Sequence, residues 1–303
     1  MEKPVGRFAP TPSGRMHLGN VFAALLAWLS VRSRDGSLVL RMEDLDTQRT
    51  SAEFAQTLRE DLLWLGLTWD VETPPQSQRS GVYDRYFEKL ADLGLLYPCY
   101  CTRSQLHNVN APHLSDGTYV YPGTCRNLRE APAGRLPAWR VQVPDREYEL
   151  TDMGRGYYRQ NLLQECGDFV VRRADGVYVY QLAVTVDDGE AGVTEVVRGM
   201  DLLGSAPRQM YLQELLGFAH PAYGHVPMLM APDGRRLSKR DKDLDLGYLR
   251  SHTSPEQLIG SLAYASGLLD IPQAISAKEL AAEFSWEKLR QEDVYLDAKT
   301  LVG

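Results

Sequence analysis

Two stretches far apart in the chain carry residue types suited to handling phosphate. The first, Arg7-Phe-Ala-Pro-Thr11-Pro-Ser-Gly-Arg-Met-His17-Leu18-Gly19-Asn20, runs straight into a Leu- and Ala-rich apolar segment. That order reads as strand, tight loop and helix. His17 and Gly19 fall at the helix start, where backbone N–H groups and the helix dipole favour an anion. A phosphate-handling loop and an ordinary strand-to-helix turn whose histidine merely caps both satisfy the pattern. The second stretch, Pro232 to Lys242, crowds Arg235, Arg236, Lys239, Arg240 and Lys242 onto a turn before a helical region. Such a loop suits a polyphosphate or its leaving group, although alone it reads as a solvated charged turn.

Two further groups could do chemistry. Ser37-Leu-Val-Leu-Arg41-Met-Glu43-Asp44 is an apolar run ending in carboxylates, so Glu43 stands at a strand's C-terminal end, where open parallel sheets bind ligands. The alternative is a helix-capping or solvated acid. Cys99, Cys101 and Cys125, with the Tyr121 phenol, offer donors for a tetrahedral zinc site, and His107 or His113 could supply a fourth ligand. Without metal they are reduced cysteines in a loop. Cys166 stands alone, and the set is a poor disulfide framework.

The elements that must position these groups follow from periodicity. Strand, helix, strand over residues 4–43 looks like the opening half of a doubly wound nucleotide-binding fold. Residues 50–66 and 80–94 have helical spacing and stop at Gly66 and Gly94, their aromatic faces reading as core. From Tyr97 to Leu136 periodicity is lost, as in an insertion held by something other than a core. Residues 138–200 alternate in the strand manner, with a hairpin turn at Ala174-Asp175-Gly176. Within them Leu182 to Val186 reads as a strand delivering Asp187 and Asp188, and Val193 to Arg198 as another. Helical spacing returns at 205–217, with Ser205 as cap and Pro207 in the first turn. Short helices follow at Pro255–Tyr264 and Ala277–Phe284, with Trp286 as an anchor.

Composition bounds the function. With 303 residues, 44% apolar and 24% charged, the chain can build a sizeable core. Its 33 Lys and Arg against 40 Asp and Glu give a net charge of −7, so any nucleic-acid site is a local patch. Arg155, Arg159, Arg172 and Arg173 could form one, or could be solvated strand ends. The longest apolar run, Val21 to Leu29, is too short to span a bilayer and the N-terminus lacks a signal-peptide core, so a cytoplasmic location is expected.

Taken together, these stretches resemble class I aminoacyl-tRNA synthetases of the glutamyl type. His17-Leu18-Gly19-Asn20 is similar to the family's first signature and Arg236-Leu237-Ser238-Lys239-Arg240 to its second, the "KMSKS" loop. Arg41-Met-Glu43-Asp44, Tyr180-Gln-Leu-Ala-Val-Thr-Val-Asp187-Asp188 and the segment from Arg198 to Gln209 also resemble glutamyl-synthetase segments. The resemblance covers residues 5 to about 245. The spacing of Cys99, Cys101, Tyr121 and Cys125 resembles the zinc motif of a shortened branch, the glutamyl-queuosine tRNA(Asp) synthetases, which names Tyr121 as fourth ligand.

The resemblance implies an α/β, Rossmann-like class I catalytic domain: first half 1–96, zinc-binding insertion 97–136, acceptor-binding subdomain and second half 137–242 ending in the KMSKS-like loop, and a short C-terminal helical region 243–303 without an anticodon-binding domain. It implies His17 and Lys239 as catalytic. Arg7, Thr11, Glu43, Tyr180 and Arg198 would bind glutamate; His17, Gly19, Asn20 and Lys239 would bind ATP; one structural Zn2+ would sit on Cys99, Cys101, Tyr121 and Cys125. The expected partners are L-glutamate, ATP with Mg2+ and queuosine-containing tRNA(Asp), and the expected state is a monomer. Arg236 and Arg240 depart from the second signature, and Asn20 from the last position of the first, which bears on loop mobility and rate. Three rivals stay open: a truncated glutamyl-tRNA synthetase charging tRNA(Glu), a nucleotidyltransferase, and a non-catalytic tRNA-binding protein.

Overall fold

The computed structural model describes residues 2–107, 120–235 and 245–296. In chain order, β1 (Val5–Phe8), α1 (Leu18–Arg32), β2 (Ser37–Leu40), α2 (Ala52–Trp64), β3 (Val71–Glu72) and α3 (Ser80–Asp92) come first. The middle of the chain holds β4 (Leu96–Cys99), α4 (Arg103–His107), β5 (Ala138–Val141), β6 (Glu147–Asp152), β7 (Gly156–Asn161), α5 (Leu162–Glu165) and β8 (Phe169–Arg172). Then follow α6 (Tyr180–Glu190), β9 (Glu195–Gly199), α7 (Ala206–Leu216), β10 (Ala222–Val226), β11 (Leu229–Met230), α8 (Leu246–His252), α9 (Pro255–Ala265), α10 (Ala277–Glu283) and β12 (Val294–Tyr295).

The central sheet has the order β10-β9-β1-β2-β3, and every pairing in it is parallel. The C-terminal ends of these strands therefore share one edge, which receives Arg198 and Gly199 of β9 and the segments following Phe8 and Leu40. Helix α1 is buried nearly all round, as its apolar sequence requires. It packs on β1, β2, β9 and α10. Each side chain such as Leu25, Leu26 or Leu29, removed wholly from water, contributes about 1.5–3 kcal/mol.

A second apolar core gathers Tyr83 and Leu90 of α3, Val141, Leu162, Phe169, and the buried faces of α6 and α7. The antiparallel sheet β4-β5-β8 and the hairpin β6–β7 flank it. Around Cys99, Tyr121 and Cys125 lies a third, small cluster, docked through a Tyr121–Gly167 bridge. Gly167 adopts φ +68°, and a Cβ there would lie 2.3 Å from the Tyr121 carbonyl oxygen, so no side chain fits.

Two expectations are corrected. Leu182 to Val186 is not a strand but the interior of α6. A short apolar run carries no decisive period, and here tertiary burial overrides the β preference of Val184, Thr185 and Val186. Thr185 Oγ1 is satisfied within the helix by donating to the Gln181 carbonyl at 2.8 Å. Ser205 stands before α7 but its side chain does not cap it; its Oγ accepts from Gln181 Nε2 at 3.0 Å and from Arg208 Nη2 at 3.2 Å. The expected hairpin turn is present, with Arg172 and Tyr178 bridged antiparallel. Trp286 does anchor its segment, donating through Nε1 to Ser30 Oγ at 2.9 Å.

Candidate active site

Where β1 ends, the loop is laid along the segment after β2. Arg41 N–H donates to Phe8 O at 3.0 Å, Glu43 N–H to Pro10 O at 2.9 Å and Ser51 N–H to Pro12 O at 3.1 Å. This backbone pairing brings Thr11 and Glu43 to one rim. His17 then caps α1: Gly19 N–H donates to His17 Nδ1 at 3.1 Å, and Asn20 Oδ1 accepts from His17 N–H at 3.4 Å. The capping reading of His17 is thus realised, and the N–H of Gly19 is turned to the imidazole. His17 also forms an antiparallel bridge with Asp245, and Leu246 N–H donates to Met16 O at 3.2 Å. The root of α8 is therefore stitched to the first signature.

A cavity of about 330 Å³ opens at this edge, and Arg7, Thr11, His17, Asn20, Glu43, Tyr180 and Arg198 all line it. Gly19 is not among its lining residues. Lys239, with Arg236 and Arg240, lies outside the described residues, as does His113.

Charge dominates the cavity floor. Arg7, buried, donates through Nη1 to Val197 O at 2.8 Å and lies 3.4 Å from Asp188 Oδ2 through Nε. Arg41 Nη1 donates to Asp188 Oδ1 at 2.6 Å, its Nη2 donates to Glu43 Oε1 at 3.1 Å, and its Nε is 3.6 Å from Asp187 Oδ2. Asp187 is further held by Arg79 Nε at 2.8 Å, Gln76 Nε2 at 2.7 Å and Tyr83 Oη at 2.9 Å. Burial disfavours the charge on Asp188, but Arg41 and Arg7 outweigh it and hold its carboxyl below the ordinary value. At Glu43 burial prevails over Arg41, and the carboxyl is raised. An incoming cation beside Glu43 would favour its charged form.

Arg198 projects from β9 into the same cavity. Its Nη1 donates to Gln209 Oε1 at 2.8 Å and reaches the Tyr180 hydroxyl at 3.4 Å, while its Nη2 is buried with no partner among the described residues. An unpartnered guanidinium N–H in such a place calls for an acceptor, and an anionic one is favoured.

Apart from this cavity, the Sγ atoms of Cys99, Cys101 and Cys125 lie within 4.8 Å of one another and could hold a metal ion. Tyr121 Oη approaches Cys99 Sγ to 3.5 Å and Cys101 Sγ to 3.7 Å, and accepts from the Cys125 N–H at 2.8 Å. Arg140 covers the group, with Nε donating to Cys99 Sγ at 3.2 Å and its guanidinium carbon 3.7 Å from the Tyr121 ring centre. Burial opposes a thiolate at Cys99, but Arg140 outweighs it and lowers the thiol from its ordinary value.

The arginines proposed for a nucleic-acid patch are mostly engaged. Arg159 pairs with Glu147 at 3.4 Å, Arg173 with Asp175 at 2.5 Å, and Arg172 covers the Phe87 and Tyr178 rings. Arg155 rests on Met200 Sδ at 2.9 Å.

The family described as tRNA synthetases class I (E and Q), catalytic domain, matches residues 4–301. A protein of Symbiobacterium thermophilum named glutamyl-Q tRNA(Asp) synthetase is 46% identical over 317 residues, spanning 98% of this chain and 97% of that protein. This chain belongs to the glutamyl-Q tRNA(Asp) synthetase family. A second glutamyl-Q tRNA(Asp) synthetase, from Nitratidesulfovibrio vulgaris, is 46% identical over 289 residues, covering 89% of both chains. Among solved structures, the glutamate-tRNA synthetase of Elizabethkingia anophelis superposes with a TM-score of 0.84 at 28% identity, covering 99% of this chain and 69% of that one. An arginyl-tRNA synthetase structure from Campylobacter jejuni, at TM-score 0.53 and 11% identity, covers 86% of this chain and 63% of that one and shares the fold alone. The α/β parallel sheet and the cysteine cluster accord with this membership, and no helix among the described residues is long and apolar enough to cross a membrane.

Sequence reasoning missed the supports of the guanidiniums. Asp188 was expected at a strand end, not facing Arg7 and Arg41 from a helix, and no role was read for Arg41. Gln209 and His225, which fix Arg198, were not singled out, although a lone histidine within the apolar run of β10 was a readable signal.

Proposed function

We propose that this chain activates L-glutamate with ATP in the absence of tRNA and then transfers it to queuosine in the anticodon of tRNA(Asp). The observation that carries the reading is the near full-length similarity to a glutamyl-Q tRNA(Asp) synthetase, 46% identical over 98% of this chain. The cavity supports it. A glutamate side-chain carboxylate would meet Arg7 and Arg198, which both line the cavity. Tyr180 would close that end and Thr11 add a hydroxyl, so that neutral glutamine leaves a guanidinium unmatched. Glu43 would take the α-ammonium.

In the first step a glutamate α-carboxylate oxygen attacks the α-phosphorus of Mg2+-bound ATP. A P–O bond forms, the bond to the bridging oxygen breaks, and pyrophosphate leaves with its electron pair. His17 and Lys239 would steady the charge developing on the phosphate oxygens, with Gly19 and Asn20 beside His17 at the ATP end. In the second step a queuosine hydroxyl attacks the acyl carbon, its proton is lost, and AMP departs, leaving an ester.

The donor set of Cys99, Cys101, Cys125 and Tyr121 fits a tetrahedral zinc ion. Zinc would supply structural cross-linking there and take no part in the reaction. Arg140 would offset the excess negative charge of the ligands.

The test is glutamate-dependent ATP–pyrophosphate exchange without tRNA, followed by transfer of labelled glutamate to tRNA with and without queuosine. Exchange with glutamate and label only on queuosine-containing tRNA(Asp) is expected. Label on tRNA(Glu) irrespective of queuosine would indicate a conventional synthetase, exchange needing no amino acid a nucleotidyltransferase, and no exchange at all a binding protein; each of these overturns the reading.

A further inference from the structure

Arg198 does not stand alone in its strand. Its register partner on β10 is His225, wholly buried. Arg198 Nε donates to His225 Nε2 at 3.0 Å, and His225 Nδ1 lies 2.6 Å from Asp152 Oδ2. The other oxygen of that carboxylate accepts three backbone N–H groups, from His225 at 2.9 Å, Gly154 at 2.9 Å and Arg155 at 3.0 Å.

These contacts leave one consistent proton arrangement. A guanidinium Nε–H can only donate, so His225 Nε2 must accept. A carboxylate can only accept, so Nδ1 carries the hydrogen. Burial, with the Arg198 charge beside it, disfavours the imidazolium. Asp152 thus selects the tautomer, and the tautomer orients the guanidinium. With Nε pinned by His225 and Nη1 set between Gln209 and Tyr180, the guanidinium is held in one orientation at the cavity.

We propose that His225 and Asp152 are positioning residues for substrate selection: together they lock the Arg198 guanidinium in the one orientation that serves the side-chain carboxylate of glutamate. The proposal rests on the reading of Arg198 as a glutamate contact. It adds that specificity is set partly by a hydrogen polarity fixed two residues away from the ligand. Asp152 also ties the β6–β7 turn to the same lock.

Asp152→Asn is the sharpest variant. Its side-chain oxygen can still accept the three backbone N–H groups, while its amide donates to Nδ1 and forces the hydrogen onto Nε2, where it opposes Arg198 Nε–H. Glutamate-dependent exchange without tRNA should then show a KM for glutamate raised about ten- to hundredfold, the effect of losing a hydrogen bond to a charged group, with kcat and the KM for ATP little changed. His225→Leu should do the same. His225→Gln, whose amide can accept from Arg198 and donate to Asp152, should recover most of the affinity. A merely structural role would shift thermal stability without this split or this rescue. Nitrogen NMR of the wild-type imidazole adds a readout independent of the variants and should report a neutral ring with hydrogen on Nδ1. Hydrogen on Nε2, or an unchanged glutamate KM in a folded Asp152→Asn, would overturn the proposal. Wild-type protein without glutamate-dependent exchange would instead overturn the underlying assignment of function, so the two failures are distinct.

Discussion

Arg41 and Asp188 are joined inside the protein by a 2.6 Å charge-assisted hydrogen bond, with side chains only 1% and 6% exposed. Both are buried, and both border carboxylates or guanidiniums of the candidate site. Arg41→Met keeps the volume but strands Asp188, Asp187 and Glu43 without their central cation. Breaking a buried pair from one side costs about 3–5 kcal/mol, so urea unfolding should show a loss of that size.

Glu43 gives a pH signature. Its carboxyl is raised from 4.5 by burial, ahead of the opposing Arg41. As pH falls through that raised value Glu43 becomes neutral and can no longer pair with an ammonium, so the KM for glutamate should climb in exchange assays run from neutral pH downward. Glu43→Gln should raise KM and flatten the profile. For stability the native state holds this proton more tightly than the unfolded chain. Glu43 therefore adds stability fully present below 4.5 and lost as pH rises through its native value. Asp188, lowered from 3.8 because Arg41 and Arg7 outweigh burial, acts oppositely, adding stability above 3.8 that is lost as pH falls through its lowered value.

Metal analysis of the purified protein should find one zinc per chain. Cys125→Ser should release it, and chelator-treated protein should unfold at lower temperature, because the small cluster around Tyr121 has little apolar core of its own. Zinc-free wild-type protein would refute the assignment.

Lys239→Ala should slow adenylate formation by about 10²–10³-fold, as for loss of one fixed donor to a developing oxyanion, while glutamate KM stays near wild type. A large loss of glutamate affinity at unchanged turnover would count against this role.

Gly167→Ala tests how the cysteine cluster is docked. A methyl at φ +68° facing the Tyr121 carbonyl at 2.3 Å cannot be accommodated without backbone movement. Destabilisation of about 1–3 kcal/mol in thermal or urea unfolding is expected.

The parts legible in the sequence are those with strong local signals. α1 announces itself by an uninterrupted apolar run, β2 by Leu38 to Leu40, and the ends of α2 and α3 by Gly66 and Gly94. Residues 182–186 were misread because a five-residue apolar run fits strand and helix alike, and only the contacts made by Asp187 and Asp188 with Arg79, Tyr83 and Arg41 decide between them. Motif resemblance selected Arg7, Glu43, Tyr180 and Arg198, and the fold gathers them around one cavity. It could not supply Gln209, His225 and Asp152. Their importance arises from register and from which atoms donate, neither of which is written in spacing. At His17 the sequence left capping and phosphate handling open, and the structure shows the cap, with Gly19 N–H donating to Nδ1.

The bridge between His17 and Asp245, together with the Trp286–Ser30 hydrogen bond spanning 256 positions, carries a consequence for biogenesis. The chain folds with many contacts between distant parts, a topology associated with slow folding. On the ribosome, the loop bearing His17 emerges early yet waits for Asp245 before its bridging partner exists. Glutamate binding should therefore be among the last properties a nascent chain acquires. A stalled fragment ending before Asp245 would carry every side chain that lines the cavity and yet lack the bridge that holds the His17 loop.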